Sequence, residues 1–216
     1  MPRFLPRPRA EVSTLEVTDD LVGLLMKRSI AYQINDQEEL ERLYLELVDR
    51  FEKHRIEIIN GRIVVREMPT IAHAEVAYQL MAELIPFSIE KGWRVYPEAK
   101  LLLQVQADRF EPDLVVVPPN PPLWDPSHVY ANATLLVAEV VSPSSVHDDH
   151  VVKPRACALA GVPLYLVIDT FANRFRLLSR PGPEGYSDEI TESIGKPLEL
   201  PAPWNLTIDT GKLSEG

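Results

Sequence analysis

Two acids in this chain stand where acids are costly. Asp113 follows Pro112 and opens the apolar run DLVVV, and Glu139 interrupts LLVAEVV. A carboxylate inside or at the end of a buried strand is unfavourable unless it is paired or metal-bound. If the two strands are neighbours and project both carboxylates to one edge, they form a hard oxygen site suited to Mg²⁺. Lys153, beyond a turn-forming SPSS segment, could then orient or help deprotonate a metal-bound water and offset transition-state charge. Each residue also has an ordinary reading. Asp113 could start a strand from a turn, Glu139 could be ion-paired in the core, and Lys153 could lie on a helix surface.

Other chemistry is less well supported. His147-Asp148-Asp149-His150 has metal-ligand residue types but reads as a solvated loop. The sequence has no GxSxG and no GxGxxG, and its nine glycines are too scattered for a phosphate-cradling loop. The single cysteine, Cys157, excludes an intrachain disulfide and a cysteine zinc site, and it reads as core. Trp93, Trp124 and Trp204 show no regular interleaving with basic residues, so they suggest no single-strand-binding platform. The balance of 22 Lys+Arg against 32 Asp+Glu, net −10, argues against a protein that coats nucleic acid nonspecifically. It leaves room for an enzyme meeting one phosphodiester locally, where a metal supplies the positive charge.

The elements that must position these residues follow from periodicity. Residues 1–18 read as a proline- and arginine-punctuated tail, and 19–31 as a short helical pattern. The stripe Leu40, Leu43, Tyr44, Leu47, Val48 and Phe51 predicts a helix over 36–53, with Asn35 and Glu38 forming a capping box. RIEIINGRIVV is a hairpin turning at Asn60-Gly61. A second helix should start near Thr70, bury Ala74, Ala77, Leu80, Met81 and Leu84, and end or kink at Pro86. Strands are expected at 94–96, 99–106, 113–117 and 134–141, the last two covered on both faces. PPNPPLWDPSH should be a stiff loop. A helix at roughly 150–160 ends at Gly161 and leads to a buried strand at 163–169. RFRLLSR adds another strand, and short edge strands and turns follow Pro181. No apolar run approaches a membrane span, and no apolar stretch follows the first arginines as in a secretory signal. The expectation is one α/β domain in a reducing cytoplasm.

The segments RIEIINGRIVV, TIAHAEVAYQL, RFEPDLVVV, LLVAEVVSPSS and HDDHVVKPRACALAGVPLYLVID, in that order from about 55 to 205, resemble the Uma-two family of putative restriction endonucleases, within the PD-(D/E)XK nuclease superfamily. The resemblance implies an α/β restriction-endonuclease-like core, a mixed central sheet flanked by helices, over 55–216. Residues 1–54 would be an N-terminal tail and helical extension packed on it. It implies that Asp113 and Glu139 bind a divalent metal, Mg²⁺ or Mn²⁺, with the Val140 carbonyl as a further ligand. The superfamily's usual lysine place, two residues after the acid, holds Val141, so Lys153 would reach the site from the following helix. His73 and Glu57 fall at family positions and are candidate outer members of the site, with cap and hairpin partner as equally open readings. Asp149 also matches a family position. Cys157, Leu164 and Leu166 depart from the family pattern. Pro154 should keep the Lys153 backbone out of the α region, which weakens the lysine assignment.

The expected activity is metal-dependent hydrolysis of DNA phosphodiester bonds, with homodimerisation a convenient way to cut two strands. The alternatives are a catalytically silent binding module on a nuclease fold, or a hydrolase of a smaller phosphate ester. They are separated by whether Arg62, Arg66, Lys100, Arg109 and Arg155 converge on the acids.

Overall fold

The computed structural model describes residues 32–33, 37–103 and 107–213. The expected tail 1–18, the helical pattern at 19–31, the Asn35 cap and the end of the 99–106 strand lie outside the described residues. After a two-residue strand, β1 (Tyr32–Gln33), comes α1 (Gln37–Arg50), close to the expected 36–53. Leu40, Leu43, Tyr44 and Leu47 of α1 pack on Ile56, Ile58, Ile63 and Val65. Those four belong to β2 (His54–Ile59) and β3 (Arg62–Glu67), a hairpin turning at Asn60 (φ 52°) and Gly61 (φ 70°). Two consecutive positive φ values are what a tight two-residue hairpin turn requires.

The next helix, α2 (Ile71–Lys91), begins at Thr70, whose side chain accepts the His73 amide. Pro86 does not end it. That residue lies on the exposed side, and buried Leu80, Leu84 and Ser88 carry the helix past the missing hydrogen bond. It stops at Gly92 (φ 73°), with the Trp93 amide donating to Ser88 O. The buried stripe is Val76, Leu80, Leu84 and Ser88, with Ala77 and Met81 flanking it. Ala74 is exposed rather than inward, because the ridge runs in steps of four from Val76 and position 74 falls off it.

The strands β4 (Arg94–Pro97), β5 (Lys100–Leu103), β6 (Asp108–Phe110) and β7 (Leu114–Val117) follow. The proline-rich segment is not all loop: β8 (Leu123–Asp125) forms an edge strand, a place that tolerates flanking prolines. Then come β9 (His128–Tyr130) and β10 (Leu136–Val140). A helical segment from 146 contains a π-turn at Asp148–Val152 and continues as α3 (Lys153–Leu159). The chain finishes with β11 (Leu164–Asp169), β12 (Arg174–Gly182), β13 (Gly185–Ser193) and the hairpin β14 (Pro197–Leu200) and β15 (Leu206–Asp209). Far from a short edge piece, β13 pairs along nearly all of β12.

The strands form a seven-stranded mixed sheet, β1-β3-β2-β6-β5-β9-β8, and a six-stranded mixed sheet, β13-β12-β11-β10-β7-β4. Both faces of β7 and β10 are covered. Leu114, Val116, Leu136, Ala138 and Val140 face a core shared with α2, while Val115, Val117, Val137 and Val141 face one shared with α3. Cys157 is fully buried in the second core. By strand alternation, Glu139 lies on the same side of β10 as Val137 and Val141. Among the described residues no helix is long and apolar enough to cross a membrane.

Candidate active site

Alternation along the β2–β3 hairpin sorts its residues. Ile56, Ile58, Ile63 and Val65 face α1, so Arg55, Glu57 and Arg66 face the other way. Arg55 and Arg66 are Cα partners across the hairpin. Two guanidinium groups placed opposite each other would repel, but carboxylates lie against both. Arg55 Nη1 donates to Asp113 Oδ1 at 2.9 Å and its Nη2 to Glu98 at 3.1 Å. Arg66 Nη2 donates to Asp148 at 2.6 Å, and its Nε is 3.5 Å from Glu57 Oε2 without hydrogen-bond geometry.

The antiparallel register pairs Leu114 with Ala138, which brings Asp113, just before β7, beside Glu139 and Val140. The Val140 amide donates to Asp113 Oδ2 at 2.7 Å, and the Asp113 amide donates to Glu139 Oε2 at 3.3 Å. Lys153 enters from the helical segment after β10. Contrary to the expectation from Pro154, its backbone is in the α region (φ −63°, ψ −43°). A proline in a helix collides with the carbonyl four residues back and offers it no donor. Here the turn widens, so that the Lys153 amide bonds Asp148 O, and the freed His150 carbonyl accepts from Arg176 Nη1 at 3.0 Å. Such π-turns concentrate at functional sites.

The Lys153 ammonium lies 2.8 Å from Glu139 Oε1, 3.0 Å from Glu57 Oε1 and 3.4 Å from Asp149 Oδ1, all of them buried. Burial opposes the charged lysine, but Glu139, Glu57 and Asp149 outweigh it and raise its pKa well above the ordinary value. Burial also works against the Asp113 carboxylate, yet the hydrogen bond from His73 and the charge of Arg55 bring it down to about 2. Glu57 is lowered too: Lys153, Arg66 and the Glu111 amide overcome its burial. Glu139 goes the other way. Burial, with the like charges of Asp149, Asp113 and Glu57, raises it well above the usual carboxyl range in spite of Lys153. The four carboxylates Glu57, Asp113, Glu139 and Asp149 face three permanent cations, Arg55, Arg66 and Lys153. Glu139 is therefore where the missing positive charge is felt.

His73 Nε2 is 2.8 Å from Val140 O and 3.2 Å from Asp113 Oδ2, while its Nδ1 is buried without a partner. A carbonyl can only accept, so Nε2 carries a proton. Burial works against the imidazolium, but Asp113 and the Val140 carbonyl raise the pKa. The atoms expected to bind a divalent cation, on Asp113, Glu139 and Val140, are thus three hard oxygens in one place with a surplus of negative charge. That chemistry fits Mg²⁺ or Mn²⁺. Among the described residues no three acidic, imidazole or thiol side chains form a preformed cage, so the fit depends on the backbone carbonyl.

A cavity of about 440 Å³ opens on this cluster, walled by the Met68–Thr70 connection, the Ser142–Ser145 loop and Phe171. The structure thus brings together Asp113, Glu139, Lys153, Glu57, His73 and the Val140 carbonyl. It adds Arg55 and Asp149. Arg55 went unnoticed, although the alternation Arg-Ile-Glu-Ile places it on the face of Glu57. The His147–His150 run is helical, not a solvated loop. Asp149 is buried, Asp148 pairs with Arg62 and Arg66, and His150 lies between Asp169 and Arg176. Of the five basic residues set as a test, Arg62 and Arg66 reach the cluster's edge through Asp148. Arg109 instead pairs with Glu41 at 2.7 Å, the charge of Lys100 acts on Glu111, and Arg155 lines a separate depression with Asn60.

No curated protein matches the chain. Among solved structures, one described as a putative nuclease belonging to DUF820 from Anabaena variabilis matches with a TM-score of 0.60, covering 73% of this chain and 88% of that one. At 16% identity the likeness shows a common fold, a mixed α/β nuclease fold. A family model described as putative restriction endonuclease, Uma2, matches residues 37–210, from the start of α1 to just past β15. That span takes in every residue of the buried ion cluster, and the chain belongs to the Uma2 family.

Proposed function

We propose that this protein is a metal-dependent endonuclease that hydrolyses DNA phosphodiester bonds. The observation that carries the reading is the mutual closure of Asp113 on Val140 and of Glu139 on the Asp113 amide and Lys153, at the floor of an open cavity. Asp113, Glu139 and the Val140 carbonyl would hold the cation. Bound there, Mg²⁺ or Mn²⁺ would make a water easier to deprotonate and offset charge on the phosphate. Arg55 fixes the Asp113 carboxylate in the orientation the site needs. Glu57 and Asp149 anchor the Lys153 ammonium beside Glu139, where its charge offsets that of the acids and of a phosphate drawn to the site. His73 keeps its Nε2 proton over Val140 O and Asp113, which holds both oxygens in place while leaving each a further lone pair for a cation.

The test is a calorimetric titration of Mg²⁺ and Mn²⁺ into wild type and Asp113→Asn, with plasmid nicking followed in the same samples. Metal binding and nicking are expected to disappear together in the variant. Nicking retained in both Asp113→Asn and Glu139→Gln would overturn the mechanism. A smaller phosphate ester is the second reading, favoured by the net charge of −10 and by the ion pairing of the cations that line the cavity. Metal binding without nicking would point to it or to a missing partner.

A further inference from the structure

The mouth of the cavity carries a group that neither folding nor ion pairing explains. Phe171 lies in the turn between β11 and β12, lines the cavity and is 64% exposed. The turn is built without it. Asp169 Oδ1 accepts the Ala172 amide at 2.9 Å, the Asn173 amide donates to Thr170 O, and Asn173 takes the left-handed conformation that closes the loop (φ 48°). Asp169 is itself held by His150 at 2.9 Å. The phenyl ring belongs to none of the three apolar cores among the described residues. It is an apolar face presented by a fixed turn at the entrance to a polar floor. Met68, 52% exposed, forms part of the wall leading to α2.

The charges point the same way. The three Lys and Arg residues lining the cavity, Arg55, Arg66 and Lys153, are each in ion pairs with carboxylates. Affinity for a duplex rests on neutralising many backbone phosphates with unpaired cations. Affinity for an unpaired nucleotide has a second source besides backbone contact, the stacking of its base on an aromatic face, which every base offers and a duplex keeps inside its own stack. A cavity of this size is in the range that encloses a small-molecule guest.

We propose that the cavity accepts an unpaired nucleotide, its base stacked on Phe171 and its phosphate at the Asp113–Glu139 floor, so that single-stranded or frayed DNA is the preferred substrate. This rests on the phosphodiesterase reading of the floor. It is tested with a short fluorescein-labelled oligothymidylate and a hairpin duplex of equal length. Binding is measured by anisotropy with Asp113 intact in Ca²⁺, a hard cation that takes the same oxygen ligands, for wild type, Phe171→Ala and Phe171→Trp, and cleavage with the same proteins in Mg²⁺. The single strand should bind more tightly than the hairpin, Phe171→Ala should weaken it roughly tenfold or more, and Phe171→Trp should restore it. An unchanged thermal midpoint in Phe171→Ala would tie the loss to the ring. Hairpin binding equal to that of the single strand, or Phe171→Ala equal to its parent, would overturn the proposal even if wild type nicks DNA. Loss of single-strand binding in Phe171→Ala without cleavage by wild type would keep the stacking site and discard the nuclease floor. No binding of either probe would discard both.

Discussion

The two faces of the β2–β3 hairpin are made from alternate residues of the same two strands, yet they are held by different physics. On one face Ile56, Ile58, Ile63 and Val65 meet α1 through non-directional contact. Burying each side chain contributes about 1.5–3 kcal/mol, and a change of shape is absorbed by repacking. On the other face Arg55, Glu57 and Arg66 meet Asp113, Lys153 and Asp148 through pairs between 2.6 and 3.0 Å. Buried ion pairs of this kind roughly break even against apolar packing, but removing one member leaves the others uncompensated. The apolar face therefore stabilises the fold, while the charged face adds little to stability and is easily ruined. Such a face contributes too little stability to account for its own presence, in keeping with the chemistry proposed for it.

The sharpest way to break that comparison is Lys153→Met. It strips the cation from Glu139, Glu57 and Asp149 at once, and should cost about 3–5 kcal/mol in denaturant unfolding at neutral pH. The sign of its pH dependence is set by the carboxyls it exposes. Glu139 and Asp149 already stand above their ordinary pKa through burial, and loss of Lys153 raises them further. A group whose folded pKa exceeds its unfolded value binds more protons when folded, so the variant should regain stability as pH falls from neutral toward the ordinary carboxyl range. A variant as stable as wild type at neutral pH would show that the charged face imposes no such demand.

An intermediate effect is expected from Arg176→Met, which acts from β12. Arg176 donates to both the His150 carbonyl and its Nδ1 at 3.0 Å, and pairs through two bonds with Glu189. Its loss orphans the carbonyl that Pro154 cannot serve, a penalty of about 1–3 kcal/mol. It should also loosen the π-turn and weaken Mg²⁺ binding in calorimetry. Adding Pro154→Ala restores an amide able to reach His150 O and should recover part of the stability. A double variant no more stable than Arg176→Met would refute this account of the π-turn.

How far the sequence revealed these faces depends on whether a residue's partner is local. The Asn60-Gly61 turn, the α1 stripe and the doubly covered strands β7 and β10 follow from short-range pattern, and so does the placing of two acids at strand ends. Arg55 was missed because its meaning comes from Asp113, far along the chain. The run His147–His150 looked like surface for the same reason: its counter-charges are Arg62, Arg66, Asp169 and Arg176, on other strands. Pro86 does not stop α2, because the helix is anchored on both sides of it, which a local rule cannot show. The length of β13 was illegible because its nine residues are mostly exposed and carry no apolar alternation, so the pairing is imposed by β12.

The smallest effect belongs to the apolar face, and it makes the comparison quantitative. Ile58 is 1% exposed beneath α1, one residue along from Glu57 and pointing the opposite way. Removing one methyl group by Ile58→Val should cost about 0.5–1.5 kcal/mol in denaturant unfolding. Because the change lies on the far side of the strand, Mg²⁺ affinity and nicking should stay at wild-type values. If Ile58→Val weakened metal binding as well, the hairpin would be passing strain from one face to the other, and the ion cluster would depend on how tightly α1 is packed. Unchanged binding would mean that α1 keeps the hairpin folded without taking part in the geometry of the acids.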